Sequence, residues 1–495
     1  MQDYTLPNSI AECHALLHQF IALTRHQTAQ IEAYGQRIAQ LEAVQKQHSG
    51  NSSRPPSSDF GKKTTPKTLK PGIPKDNKQQ GGQKDHKGNT LHKIEKADEV
   101  VQLFTPICHC GRLLRLEDAQ LVQTRQVHDM PLPKLYVVDY QQFQQACTCG
   151  KHHIGAFPTH VNASVQYGTN VRAFTTLLSN SCQLSHEKVS TLFYDLYGYA
   201  LNESTVLSNN QMMYESLAPT EEGIKAALLQ SEVVHFDESG VRINKTLHWL
   251  HTACNALYTF LFVHEKRGRK AHEGGTSILP TFENWAIHDC FATYFTYTQA
   301  KHGLCNAHLL RELQFQKDDG KLWAIQIHEF LIDLYKRTQK GTIAIENIAL
   351  EKQEWQKLCT QAITTEEIIL ATCANTAIDD FGLLLDAQNT PKKRGRKARG
   401  KALKLLDRLL KYTDAILAFA ALEAVPFTNN QAERDIRPIK TKLKISGCFR
   451  TTDGANRYAR IQSFIATCRK NRINVFEQLK LVASQQKTYS APFWC

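Results

Sequence analysis

Long apolar stretches are missing from this sequence. No run of about 18 apolar residues occurs, so no membrane-spanning helix is expected. The opening residues, MQDYTLPNSIAECHALLHQF, lack a cationic region ahead of an apolar one, so no signal peptide is expected. A repeat of fixed period is absent too, which sets solenoids and arrays aside. Acids are the minority charge: 47 Asp and Glu stand against 60 Lys and Arg, a net charge of +13. Such a balance favours a polyanionic partner, and with no membrane signal a cytoplasmic nucleic-acid protein is the default.

What is present is long and varied. A chain of 495 residues implies several domains, and 42% hydrophobic content can build real cores. Fourteen cysteines would suit disulfides in a small secreted chain. In a long chain without a leader they read as reduced thiols or metal ligands.

Residues 1–48 read as an N-terminal helix. Leu17, Phe20, Ile31, Tyr34, Ile38 and Leu41 follow three-and-four spacing, which suits a short coiled coil or an ordinary amphipathic helix. Residues 49–95 form a flexible basic linker. From Gly50 to Asn89 it has nine Lys and Arg against three Asp, with much Ser, Pro and Gly.

Residues 96–160 carry two matching knuckles, ICHCG and ACTCG. Cys108, Cys110, Cys147 and Cys149 could give one tetrahedral zinc four thiolates, or remain free thiols. The glycine after each pair permits the tight turn a knuckle needs. Between them LYVVDYQQF alternates like a strand. Residues 161–225 show three short helical patterns, arranged as in a helix-turn-helix or as in any small helical bundle.

From 226 to 311 the pattern becomes α/β. EVVHFDESGVRI is an apolar strand with Asp237 at its centre, two further strands follow, and WAIHDCFATYF ends its strand on Asp289. GLCNAHLLREL begins as a strand and turns helical. Residues 312–425 read as a helical insertion containing a basic run, PKKRGRKARGKALKLLDRLLK, with ten Lys and Arg and one Asp. Within it Lys392, Lys393, Arg394 and Arg396 suit DNA backbone contact, while Leu403, Leu406 and Leu410 mark a docking face. Residues 426–495 return to the core and close it with amphipathic helix.

A buried aspartate needs a partner cation or a metal. Asp237 and Asp289 at strand positions, with Glu433 on a later helix, could hold two Mg²⁺ (or Mn²⁺) ions, which prefer hard oxygen ligands. Glu433 also fits the third helical position after an Asn430 cap, with Pro438 expected to end or kink that helix. Arg434, Arg437, Lys440, Lys442, Lys444 and Arg450 trail the acid, as a phosphate clamp would.

At these residues the chain resembles the transposases of the insertion-sequence-66 family, over nearly its whole length. NSSRPPSSD and GGQKDHKGNTL look like that family's linker, VVHFDESGVRI its first-acid strand and AIHDCFATY its second. CNAHLLREL resembles its C-x-x-H motif, here Cys305 and His308, and VPFTNNQAERDIRPIKTKLKISGCFRTTDGANRYARIQSFIATCRKN its third-acid block. The resemblance implies a ribonuclease-H-like core and a DDE triad of Asp237, Asp289 and Glu433. It implies cleavage of insertion-sequence ends and joining of 3′ ends to target DNA in a bacterial, nucleoid-associated setting. Double-stranded DNA, further copies of the chain and accessory proteins of the element would be its partners. Cys305 and His308 would bind a second zinc, support the metal site or pack beneath it. The knuckles depart from the family's more usual C-x-x-C. A catalytically silent DNA-binding repressor derived from a transposase is the competing reading, and a structure-selective nuclease a weaker one.

Overall fold

The computed structural model describes residues 9–46, 91–341, 348–379 and 400–484. The expected basic linker (49–95) lies almost wholly outside them, as do Lys392, Lys393, Arg394 and Arg396. The chain divides into two compact units. Pro74–Ala163 with Ser190–Asn202 form one, and Met1–Ile73, Ser164–Val189 and Glu203–Cys495 the other. Among the described residues no helix is long and apolar enough to cross a membrane.

Helix α1 (Ile10–Lys46) is continuous, and Leu17, Phe20, Ile31, Tyr34 and Ile38 are exposed along it. In the smaller unit, β1 (Gln144–Ala146) pairs antiparallel with β2 (His152–Ile154) around the second knuckle. The strand expected over LYVVDYQQF does not form; regular pairing starts only at Gln144. Tyr136 and Val137 are exposed there, so alternation found neither a partner strand nor a core to bury its apolar side.

The larger unit starts with α2 (Thr169–Thr176), α3 (His186–Tyr197, which crosses the division), α4 (Glu203–Ser216) and α5 (Ala218–Leu229). Strands β3 (Val233–Ile243), β4 (Thr246–Cys254) and β5 (Thr259–His264) follow as an antiparallel meander. The β3–β4 turn is only Asn244 and Lys245, both at positive φ, the two-residue turn that matches strand twist. After short α6 (Arg269–His272) come β6 (Trp285–His288) and β7 (Lys301–Leu304), parallel to β3. The sheet order is β5-β4-β3-β6-β7, so β3 is central.

Helices α7 (Asn306–Asp318), α8 (Leu322–Gln339), α9 (Ile348–Asp379), α10 (Lys401–Lys411), α11 (Thr413–Ile416) and α12 (Ala418–Ala421) make the helical stretch. Trp355, Leu331, Leu406 and Leu409 are in its core, beside β6 and β7. On α10 the docking face is wider than three leucines, since Leu403, Leu405, Leu406 and Leu409 are all buried. Arg408 of the same helix pairs with Glu312 of α7. The chain closes with α13 (Asn430–Ser446), α14 (Thr452–Lys470) and α15 (Val475–Ala483). Helices α2 and α4 share a core with α14 and α15, through Ala173, Met213, Phe464 and Leu479.

Alternation along β3 decides what meets which face of the sheet. Val234 and Phe236 pack with Ile224 and Leu228 of α5. Val241 and Ile243, odd-numbered, pack with Ile436 and Ile439 of α13. Asp237 is odd-numbered too, so the α13 face is its face.

Candidate active site

Parallel pairing of β3 with β6 runs Val233–Trp285, Val234–Ala286 and His235–Ile287. Asp237 and Asp289 each lie two residues beyond the last pair. They therefore hold matching register positions, at the point where β6 ends and β3 continues. Asp289 caps the loop after β6, its Oδ1 accepting the Phe291 N–H at 2.9 Å. One Asp237 oxygen accepts the Glu238 N–H at 2.8 Å.

Glu433 reaches the same place from α13. The cap of that helix is Asn429, not Asn430, so Glu433 lies one position later than a capping box requires. The Asn429 side chain does not cap at all. Its Nδ2 donates to the Phe236 carbonyl at 2.7 Å, its Oδ1 accepts from His235 Nδ1 at 2.8 Å, and its own N–H donates to Cys305 Sγ at 3.1 Å. One buried asparagine thus ties the strand of Asp237, the end of β7 and the start of the Glu433 helix.

Pro438 neither ends α13 nor divides it. A proline inside a helix costs about 3 kcal/mol. Ile436 and Ile439 on either side are 1% and 2% exposed against the sheet. Burying two such side chains contributes about 3–6 kcal/mol, which offsets that cost. Glu433, Arg437, Lys440 and Lys444 consequently share one stripe, spaced four, three and four. The three cations, with Arg434 and Arg450, are exposed. Lys442 falls on the opposite side, half-buried, with its ammonium 6.0 Å from the centre of the Tyr458 ring.

Electrostatics at the acids is crowded. Asp237 is pushed up to about 8, chiefly by burial and then by the Glu238 charge, with smaller contributions from Asp289 and Glu433. Glu238, on the other face, is raised by burial and by Asp289. It accepts from the Tyr294 hydroxyl and pairs with Arg267 at 2.6 Å. Arg267 lies over the Phe291 ring at 4.1 Å and reaches to 3.9 Å from Asp289. A pocket of about 180 Å³ opens here, lined by Arg267, Asp289, Cys305, His308, Glu312 and Arg408 among others. Asp289 lines this pocket, whereas Asp237 and Glu433 do not. The three carboxylates are the hard oxygen donors that Mg²⁺ or Mn²⁺ prefers, and their oxygens are not gathered within 4.8 Å of one another.

Cys305 and His308 are at the site as well. Cys305 is the residue before α7 and is buried, and His308 Nε2 stands 4.0 Å from Glu433 Oε1.

The knuckles of the smaller unit are built alike. Cys108 N–H donates to the Arg112 carbonyl and Gly111 N–H to that of Cys108. Cys147, Lys151 and Gly150 repeat the arrangement. Gly111 and Gly150 sit at φ of 86° and 83°, the region that favours glycine. Backbone N–H groups lower the thiols of Cys110 and Cys147, as suits a thiolate ligand. The two pairs are not drawn together: no three of the four sulfurs lie within 4.8 Å of one another.

Sequence reasoning missed Asn429 as a hub, and missed Arg267 and Glu238. In the sequence the helix start falls to Asn430 rather than Asn429, Arg267 is one cation among many, and Glu238 stands behind Asp237.

Residues 164–457, more than half of the chain, match the model of the IS66 transposase family. That span holds Asp237, Asp289, Glu433, Asn429, Cys305 and His308, while the knuckle cysteines lie outside it. Residues 4–92 match a family of unknown function (DUF6444). None of the curated proteins matches the chain.

Proposed function

The chain belongs to the IS66 family of transposases, and on that premise we propose that it cuts DNA at the ends of its element and joins the freed 3′ ends to target DNA. The core would be ribonuclease-H-like, a reading supported by three antiparallel strands continued by two parallel ones with β3 at the centre. The observation that carries the proposal is the matching position of Asp237 and Asp289, each two residues beyond the last β3–β6 pair, with Glu433 near the start of α13.

In this reading Asp237, Asp289 and Glu433 hold two Mg²⁺ or Mn²⁺ ions. When bound, such ions activate the attacking oxygen and stabilise the leaving one. The residues of the chain do the rest. Asn429 fixes the distance between the Asp237 strand and the Glu433 helix. Arg267 holds Asp289 toward the pocket and offers a guanidinium to a phosphate there. Arg437, Lys440 and Lys444 continue the Glu433 face as a row of phosphate contacts, which set register without reading sequence. The knuckles would hold one structural zinc once their two pairs close on it.

Asp237→Asn, Asp289→Asn and Glu433→Gln keep volume but remove a hard anionic ligand. Each should lower Mg²⁺-dependent cleavage of an end-containing duplex by at least about 100-fold, with binding to that duplex changed by less than about threefold. Near-normal cleavage by any one removes that residue from the assignment. A wild-type protein that binds ends but never nicks them would point to the repressor reading instead.

A further inference from the structure

Cys305 and His308 are unlike the other residues of the site, because neither chemistry is wanted by Mg²⁺. Cys305, His308 and Glu433 each present one ligand atom, and all three atoms lie within 4.8 Å of one another. Among the described residues no other such group forms.

We propose that Cys305, His308 and Glu433 form a binding site for one thiophilic divalent cation of the Zn²⁺ class, and that filling it withdraws Glu433 from the catalytic acids. The second half rests on the reading of Glu433 given above; the first does not.

The backbone builds this site from two helix starts. Cys305 precedes α7 and His308 lies in its first turn, three residues on, so both side chains face one spot. Glu433 comes from the first turns of α13, and the Asn429 N–H that donates to Cys305 Sγ joins the two starts. Burial pushes the Cys305 thiol up to about 11, and the amide donating to sulfur offsets only part of that rise, so the thiol stays protonated until a metal binds. His308 lacks satisfaction in the protein: its Nδ1 is buried without a partner, and its Nε2 is beyond hydrogen-bond reach of Glu433. A buried ring nitrogen in that condition is costly, and a metal bond at that nitrogen would remove the cost.

The distances suit closure. Tetrahedral zinc holds its ligands roughly 3.3–3.7 Å apart, given bonds of about 2.0–2.3 Å. Rotations of the His308 and Glu433 side chains, both part-exposed, close the gap from 4.8 Å. Three protein ligands leave a fourth position, which the adjoining pocket can fill with water. As the ion binds, the Cys305 thiol releases its proton to solvent. Zinc outranks Mg²⁺ and Mn²⁺ on nitrogen and sulfur donors. A small amount of it should therefore hold Glu433 against a large excess of Mg²⁺.

The test uses the full-length chain and Co²⁺ as the probe. Wild type, Cys305→Ser and His308→Gln are equilibrated with Co²⁺, desalted and analysed for metal content and absorption. Wild type should hold one more equivalent than either variant. The difference spectrum should show sulfur-to-cobalt charge transfer and four-coordinate visible bands. Comparing variants cancels the knuckle cysteines, and part-exposed His308 guards against a Cys305 variant that fails to fold. Equal content and superimposable spectra for wild type and His308→Gln overturn the site. In the second arm, Zn²⁺ should slow wild-type Mg²⁺-dependent cleavage about tenfold, and this ratio should fall toward one in His308→Gln. A cobalt difference with no zinc inhibition overturns the competition with catalysis. Normal cleavage by Glu433→Gln would sink the catalytic reading of Glu433 and with it the competition, and the cobalt comparison would still judge the site.

Discussion

Asn429 shows how much one side chain can determine. It is 2% exposed, and its amide satisfies a strand carbonyl and a histidine at once. Its orientation is set by those partners, since only the nitrogen can donate to Phe236 and only the oxygen can accept from His235. His235 is pushed down to about 4, mainly by burial, so it stays neutral and donates through Nδ1. Asn429→Ala leaves a buried carbonyl and a buried imidazole unpaired. The expected loss is about 2–4 kcal/mol of stability, read by chemical denaturation. Cleavage should fall further than stability explains, because the distance from Asp237 to Glu433 is no longer held. A variant that denatures like wild type would mean the amide network carries little, and one that also cleaves like wild type would remove Asn429 as a positioning residue.

At the scale of the element, α13 carries both charges of the site on one helix. Its sheet-facing side is Ile436 and Ile439, and Asp435 anchors it through Thr259 and Lys470. The opposite requirement, a basic outer stripe, is met by Arg437, Lys440 and Lys444. If these contact DNA phosphates, replacing all three by alanine should lower the log–log salt slope on duplex DNA by roughly 2.7, at about 0.9 per contact. Lys442→Ala should leave the slope unchanged, since that side chain lies over Tyr458. Equal effects from Lys442 and the stripe would contradict the helix-face assignment.

Taken whole, the chain joins units of different character. The sheet unit is held by several hydrophobic clusters, whereas around the knuckles Leu103, Leu113, Phe143 and Ile154 remain exposed. Such a module needs a staple, and structural zinc contributes folding free energy directly. Chelation should therefore raise amide exchange across roughly residues 100–160 and spare the sheet, with about one zinc per chain found by elemental analysis beforehand. Absence of zinc from the purified protein, or uniform exchange in both units, would rule out the staple.

Much of this protein could be read from local pattern. The strands around Asp237 and Asp289, the helical stretch after them, the glycine turns of the knuckles and the acid-then-cation order of α13 depend on residues a few positions apart. Short-range sterics, alternation and helical spacing dictate those features wherever the chain goes. Tertiary structure decided the rest. Asp237 faces α13 because β3 is central, with a partner on each edge. Asn429 became a hub because its partners lie 193 and 194 residues away, at Phe236 and His235. Pro438 stayed inside its helix because burial of Ile436 and Ile439 outweighs one lost hydrogen bond. LYVVDYQQF stayed out of any sheet because no second strand met it. In each case the deciding energy is a contact made across the fold, and a window of neighbouring residues holds no record of it.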